Sequence, residues 1–418
     1  MNLLKTSVLN GVAVLIKTAT MFVLNKILAV YVGPAGYATI GQFQNFIQMI
    51  ITFSGSAINN AIVKYTAEYH ENDELQKNIW QTSGTIIIIL SFIFSILIAI
   101  FREELSLYIF HTYLYKSIFI WLACFLPFFT MNSYFLAILN GKKEVKVLVF
   151  ANIAGSIFSL IITSILAVYY HLKGALIALS LYQSLAFFVT VLLCYKSRWF
   201  IFSSFYGKID TQIAKKLGAF ALMALVSVFF GNLAQILLRN VIINQFGIEY
   251  AGYWDAMSRL SNGYLLFAST ILGVYYLPKL SELRTRKEIF LEVKSGYIVI
   301  LPIAIASSIF IYSFKEFIVR ILFTDKFIPM LELMLWQLIG DVTKIGSWIV
   351  SYMMLSKAMT KLFITTETFF ALSIIPLTYL FIYLFSFKGV AIAFFVNCLL
   401  YWVVCGFLSN KNLKSLGA

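Results

Sequence analysis

Charge is scarce in this chain. Asp, Glu, Lys and Arg make up 12% of its 418 residues, and acids are the scarcer sign, 18 against 32 basic residues. With 61% hydrophobic residues and a mean hydropathy of +0.88, so few charges exclude a soluble globular domain of ordinary composition. Cysteine is sparse too. Cys124, Cys194, Cys398 and Cys405 lie in apolar stretches without CxxC or Cys/His ligand spacing, so they read as packing residues, and neither a metal nor a cofactor is expected. His70, His111 and His171 stand near the ends of apolar runs, where they form neither a metal site nor a proton wire. Alternation at period two is missing and the apolar runs exceed ~18 residues, which excludes a transmembrane β-barrel.

What remains is an all-α polytopic membrane protein. Twelve spans fit, at 7–31, 36–62, 80–101, 117–139, 147–169, 174–195, 217–244, 250–277, 295–314, 329–355, 361–384 and 388–408. The first is too long for a signal-peptide core and carries Lys17, so it reads as a retained helix. A less hydrophobic stretch with Lys196, Arg198, Lys208, Lys215 and Lys216 separates spans six and seven. It divides the chain into an N-terminal six-helix bundle (1–195), a cytoplasmic linker (196–216) and a C-terminal six-helix bundle (217–418). The net charge of +14 does not point to nucleic acid, because the Lys and Arg residues concentrate in alternate loops. That bias puts both termini in the cytoplasm.

The halves are related in sequence. Gly33-Pro34-Ala35-Gly36-Tyr37 joins the first two spans, and Gly247 with Ala251-Gly252-Tyr253 joins the seventh and eighth, the Ala-Gly-Tyr triplets at an offset of 216 residues. The charged stretches that begin at Lys64 and Lys279 repeat it at 215. Six spans per half make this a parallel repeat. The inner stretches 65–78 and 281–293 are amphipathic and are expected as short surface helices or as solvated loops.

Charges inside spans mark the functional face, since each costs ~2.5–3.5 kcal/mol at a helix centre. Trp336 to Ala358 carries Asp341 and Lys344 three residues apart, an expected ion pair, with Gln337 and Ser351 on the same stripe. Lys17, Lys26, Arg239, Asp255, Arg259 and Glu367 are the other intramembrane charges, and Asp255 with Arg259 is an expected i,i+4 pair. Gln42, Asn45, Gln48, Thr52, Gly55 and Asn59 form a polar stripe on the second span. Basic excess predicts an anionic substrate, for which Arg offers a planar fork and Lys a point charge. Lys17, Lys26, Asn45, Gln48, Arg239, Arg259 and Lys344 are the candidate substrate-binding residues. Asp255, Asp341 and Glu367 are the candidates for coupling or gating.

The blocks GPAGYATIGQFQNFI, NAIVKYTAEYHENDELQK, YYLPKLSELRTRKEI and WQLIGDVTKIG closely resemble the bacterial O-antigen translocase and enterobacterial common antigen flippase family of the multidrug/oligosaccharidyl-lipid/polysaccharide exporter superfamily. The resemblance implies a V-shaped twelve-helix exporter in the bacterial inner membrane that is not an enzyme. Such a protein moves an undecaprenyl-diphosphate-linked oligosaccharide, an O-antigen or common-antigen repeat unit, to the periplasmic leaflet by alternating access, with ion coupling as an option. Its implied partners are that lipid-linked oligosaccharide, membrane lipid, a polysaccharide polymerase and a chain-length regulator. Lys17, Lys26, Arg239, Asp341, Lys344 and Glu367 match the family's charges. Asn262 stands where an acid is expected, and Asp255 and Arg259 lack clear counterparts, which leaves the coupling site open. The rival readings are a multidrug exporter, whose cavity should be acidic, and a glycan polymerase or ligase, which should carry catalytic groups on a large outer loop.

Overall fold

The computed structural model describes residues 3–416 except 196, 198, 284 and 358. Lys196 and Ala358, at the edges of two expected segments, lie outside the described residues. The long helices follow from apolar runs, and short polar helices such as Asn59–Glu68 and Arg102–Phe110 lie between them. In order they are α1 (Leu3–Tyr31), α2 (Gly33–Phe53), α3 (Asn59–Glu68), α4 (Asp73–Ile100), α5 (Arg102–Phe110), α6 (Lys116–Gly141), α7 (Val145–Cys194), α8 (Thr211–Phe246), α9 (Ile248–Ile271), α10 (Leu277–Glu282), α11 (Arg286–Ser313), α12 (Lys315–Leu322), α13 (Leu331–Ser356), α14 (Thr360–Phe385) and α15 (Lys388–Leu416).

Side chains fix several of the starts. Asn72 accepts the Leu75 amide at 3.0 Å ahead of α4, and Thr285 with Glu288 forms a reciprocal capping box on α11. Asp210 accepts the amides of Gln212 and Ile213 and so starts α8. The stretches 65–78 and 281–293 do not make separate surface helices. They are the ends of α3 and α10 and the first turns of α4 and α11, because the caps at Asn72 and Thr285 begin the long helices inside them.

Among the described residues, eight helices are long and apolar enough to cross a membrane, or nine if α2 and α3, bent by 70° at their break, count as one span. Three features separate this count from twelve. Residues Val145–Cys194 register as one helix of 50 residues, about 75 Å at ~1.5 Å per residue and far more than a ~30 Å hydrocarbon core. The backbone in fact breaks within it, at His171 (φ 49°, ψ −130°). The other two are α9 and α13, which fall outside the apolar set and carry the charged residues Asp255, Arg259, Asp341 and Lys344.

Contacts group the chain into two compact units, 1–32 with 39–232, and 33–38 with 233–418, so that the division falls within α8. In the first unit α7 packs on α1 and α6, and α6 also meets α3 and α4. Its core holds Ile62, Trp80, Tyr134, Phe135 and Ile138, pinned by bonds from the Trp80 indole to Thr66 (3.0 Å) and from the Tyr134 hydroxyl to the Trp80 carbonyl (2.8 Å). The segment after α7 is strapped to α4. Gln81 donates to the Ser203 carbonyl, Thr85 bonds both backbone groups of Gly207, and the Asp210 amide donates to Thr82. In the second unit α13 packs on α9, α11, α14 and α15 around Leu272, Tyr276, Ile349, Met354 and Tyr401.

The internal repeat recurs in the backbone. Gly33 and Gly247 both have positive φ (72° and 96°) one residue before or at a helix start. His171 and Ser386, 215 residues apart, share nearly one conformation, φ 49°, ψ −130° and φ 54°, ψ −140°. Three residues after each stands a glycine on which a Cβ would meet a carbonyl oxygen, Leu166 O at 1.8 Å from Gly174 and Phe381 O at 2.0 Å from Gly389. The break inside α7 is therefore the counterpart of the turn between α14 and α15.

Candidate functional site

The polar groups of the second unit gather into three clusters. In the first, the Arg239 guanidinium of α8 makes a bidentate pair with Asp255 of α9, Nε to Oδ2 at 2.8 Å and Nη2 to Oδ1 at 2.7 Å, and stacks on Trp254. Arg239 is 2% exposed. Asp255 thus binds across to α8 and not to Arg259, the expected partner on its own helix. Arg259 instead lies over the ring of Tyr37, 5.2 Å from its centroid, and Tyr37 packs edge-on against Phe323 and Phe327.

The second cluster is built on α13. Asp341 is fully buried, and its carboxylate accepts hydrogen bonds from Ser261 (2.6 Å), Tyr264 and Gln337 (3.2 Å). Its expected ion pair with Lys344 is not formed. Asp341 has a short stem that holds the carboxylate beside α9. The longer stem of Lys344 carries its ammonium to the rings of Trp348 and Phe394, 5.4 and 5.6 Å from their centroids. Lys344 makes no ion pair among the described residues. Gln337 and Ser351 do extend the stripe. Ser351 belongs to the third cluster, in which Glu367 of α14 accepts from Tyr401 at 2.6 Å and from Ser351 at 3.4 Å.

In the first unit the candidates are more dispersed. Lys17 on α1 and Gln48 on α2 are exposed, and Lys26 and Asn45 are half-buried. The α2 stripe turns inward toward both ends, with Gln42 and Thr52 buried, and stops where Gly55 (φ 119°) breaks the helix. Ser261 and Tyr264 escaped the sequence reading. The sequence candidates on α9 are Asp255 and Arg259, whereas the hydroxyls that meet Asp341 lie three residues apart at positions 261 and 264 of the same helix.

No group of three His, Cys, Asp or Glu able to hold a metal exists among the described residues. A crevice of about 360 Å³ between α11 and α13, lined by Ile305, Ile309, Leu335, Ile339 and Val342, carries no charged side chain and is no anion site.

An all-α bundle with eight or nine helices able to cross a membrane is the architecture of a multi-pass membrane protein. The solved structures agree on the fold. This chain superposes on an inward-facing multidrug resistance MATE family transporter of the MOP superfamily with a TM-score of 0.76, at 15% identity over 96% of this chain and 95% of that one. An outward-facing conformation of a MATE family transporter matches with a TM-score of 0.65, also at 15% identity, over 97% and 96%. The family model described as "Polysaccharide biosynthesis protein" matches residues 3–284, about two thirds of the chain. The protein belongs to that polysaccharide biosynthesis family. A curated relative, the "Lipid III flippase" of Escherichia coli K12, is 28% identical over 375 residues, 88% of each chain.

Proposed function

We propose that the chain is a flippase that carries an undecaprenyl-diphosphate-linked oligosaccharide from the cytoplasmic to the periplasmic leaflet of the bacterial inner membrane by alternating access. The substrate is an O-antigen or enterobacterial common antigen repeat unit. The observation that carries the reading is Lys344, an intramembrane ammonium held by aromatic faces while its nearest acid is bonded elsewhere. A cation placed in hydrocarbon without a counter-ion is costly and marks a pathway for an anion, and a diphosphate supplies that anion. The similarity, over 88% of both chains, to a protein called a lipid III flippase supports the same chemistry.

In this reading the two six-helix halves are 1–195 and 217–418, joined by a cytoplasmic linker at 196–216. Twelve spans result when α7 is taken as two helices and α2 with α3, α9 and α13 are added to the remaining apolar helices. Lys17, Lys26, Arg259 and Lys344 attract the diphosphate, and Asn45 and Gln48 take sugar hydroxyls. Asp341 and Glu367 serve coupling or gating. Arg239 and Asp255 hold α8 to α9. A polysaccharide polymerase and a chain-length regulator receive the product.

The test is a strain lacking its own flippase, supplied with this gene and scored for surface polysaccharide and for lipid-linked precursor on the inner face. The expected result is restored surface glycan and cleared precursor. Precursor that accumulates at normal protein level, across strains making different glycans, would overturn the reading.

A further inference from the structure

Asp341 and Lys344 are three residues apart on one helix, close enough to pair, yet they do not. Two neutral hydroxyls from another helix hold the acid instead. Ser261 and Tyr264 of α9 donate to the same oxygen, Oδ2, while Gln337 donates to Oδ1. Hydrogen bonds to a charged acceptor are the strong kind, about twice a neutral one, and three of them replace the solvation that a fully buried carboxylate loses. Without them the nearest donor able to compensate that charge is the Lys344 ammonium, whose flexible four-carbon stem lets it turn back from Trp348 and Phe394.

We infer that Ser261 and Tyr264 are positioning residues that keep Asp341 off Lys344, so that the ammonium stays available to an anionic ligand. This rests on the flippase reading for the identity of the anion, but the arrangement itself concerns only α9 and α13. Its chemistry is competition for one carboxylate. Two neutral donors hold the acid in place, and the cation beside it is left to the aromatic faces, which attract it without quenching it. The device also explains how an acid and a base survive side by side in a transport site without cancelling.

Two measurements test this on the full chain in lipid nanodiscs. The first is the rate at which phenyl isothiocyanate modifies the partly exposed Lys344 amine at fixed pH, read by peptide mass spectrometry. Tyr264→Phe combined with Ser261→Ala should slow modification about tenfold, because the released carboxylate ties up the ammonium. Each single variant should slow it less. Adding Asp341→Asn to the double variant should restore the original rate within about twofold. An unchanged rate in the double variant overturns the proposal. A slowed rate that Asp341→Asn fails to restore overturns it too, since the loss then comes from altered packing.

The second measurement is binding of undecaprenyl diphosphate against undecaprenol. The wild-type chain should prefer the diphosphate, the double variant should lose about tenfold, and Asp341→Asn should recover the loss. A wild-type chain with no preference for the diphosphate sinks the flippase reading, and the amine modification alone then decides the role of Ser261 and Tyr264.

Discussion

Arg239 and Asp255 illustrate what a buried charge demands of its surroundings. The pair is bidentate and nearly inaccessible, so removing either partner leaves an uncompensated charge in the bundle, at a cost of about 3–5 kcal/mol. Arg239→Gln or Asp255→Asn should therefore lower the melting temperature of the detergent-solubilised protein markedly, whereas Arg239→Met combined with Asp255→Leu should keep most of the stability. Lys17, Arg259 and Lys344 are expected to behave differently. Replacing each by Ala removes a donor worth about 1.5–3 kcal/mol to a bound phosphate, and surface glycan per unit of inserted protein should fall about tenfold for at least one. Normal export by all three variants would dismiss the diphosphate cradle. The identities of the charged residues were legible from their placement in apolar runs, but their partners were not. Helical spacing suggested Asp255 with Arg259 and Asp341 with Lys344, both on single helices. Side chains on one helix leave it side by side, while an adjoining helix offers donors head-on, and linear spacing carries no record of which helix adjoins. Hence α8 took Asp255 and α9 took Asp341.

At the level of helices, the breaks matter as much as the runs. His171 and Ser386 sit in a backbone region that favours glycine, which stores about 1–3 kcal/mol of strain at each. His171→Gly and Ser386→Gly should each raise thermal stability, by about 1 kcal/mol or more, in a melting experiment. Gly174→Ala and Gly389→Ala should each reduce folded protein in the membrane, because the added methyl lands on a carbonyl oxygen. Unequal outcomes between the members of either pair would contradict their equivalence. Apolar length alone placed most helices correctly, and the expected spans at 147–169 and 174–195 fall on either side of the break at His171. The break between α2 and α3 was not legible, since Gly55 reads as one more small residue in a polar stripe until its φ is seen. Nor do the amphipathic inner stretches announce that a cap lies inside them.

For the molecule as a whole, the charge bias between loops predicts cytoplasmic termini, so a reporter active only in the periplasm should stay silent when fused after Ala418. Activity there would reverse the topology. Fold and family were legible because the repeat and four sequence blocks extend over most of the chain. The acids Asp255, Asp341 and Glu367 are a different matter, because they obey no repeat. Stepping back by the offset of 214 to 216 residues from Asp255 reaches Thr39, Ile40 and Gly41. From Glu367 the step of 215 reaches Asn152, and the equivalent stretch for Asp341 is Phe125-Leu126-Pro127. None is acidic. Had the ancestor been a single half-length polypeptide assembling as a symmetric dimer, each acid would have occurred in both subunits. The twin backbone kinks are shared by the halves and the acids are not, so one half carries chemistry that a pair of identical subunits would have to duplicate.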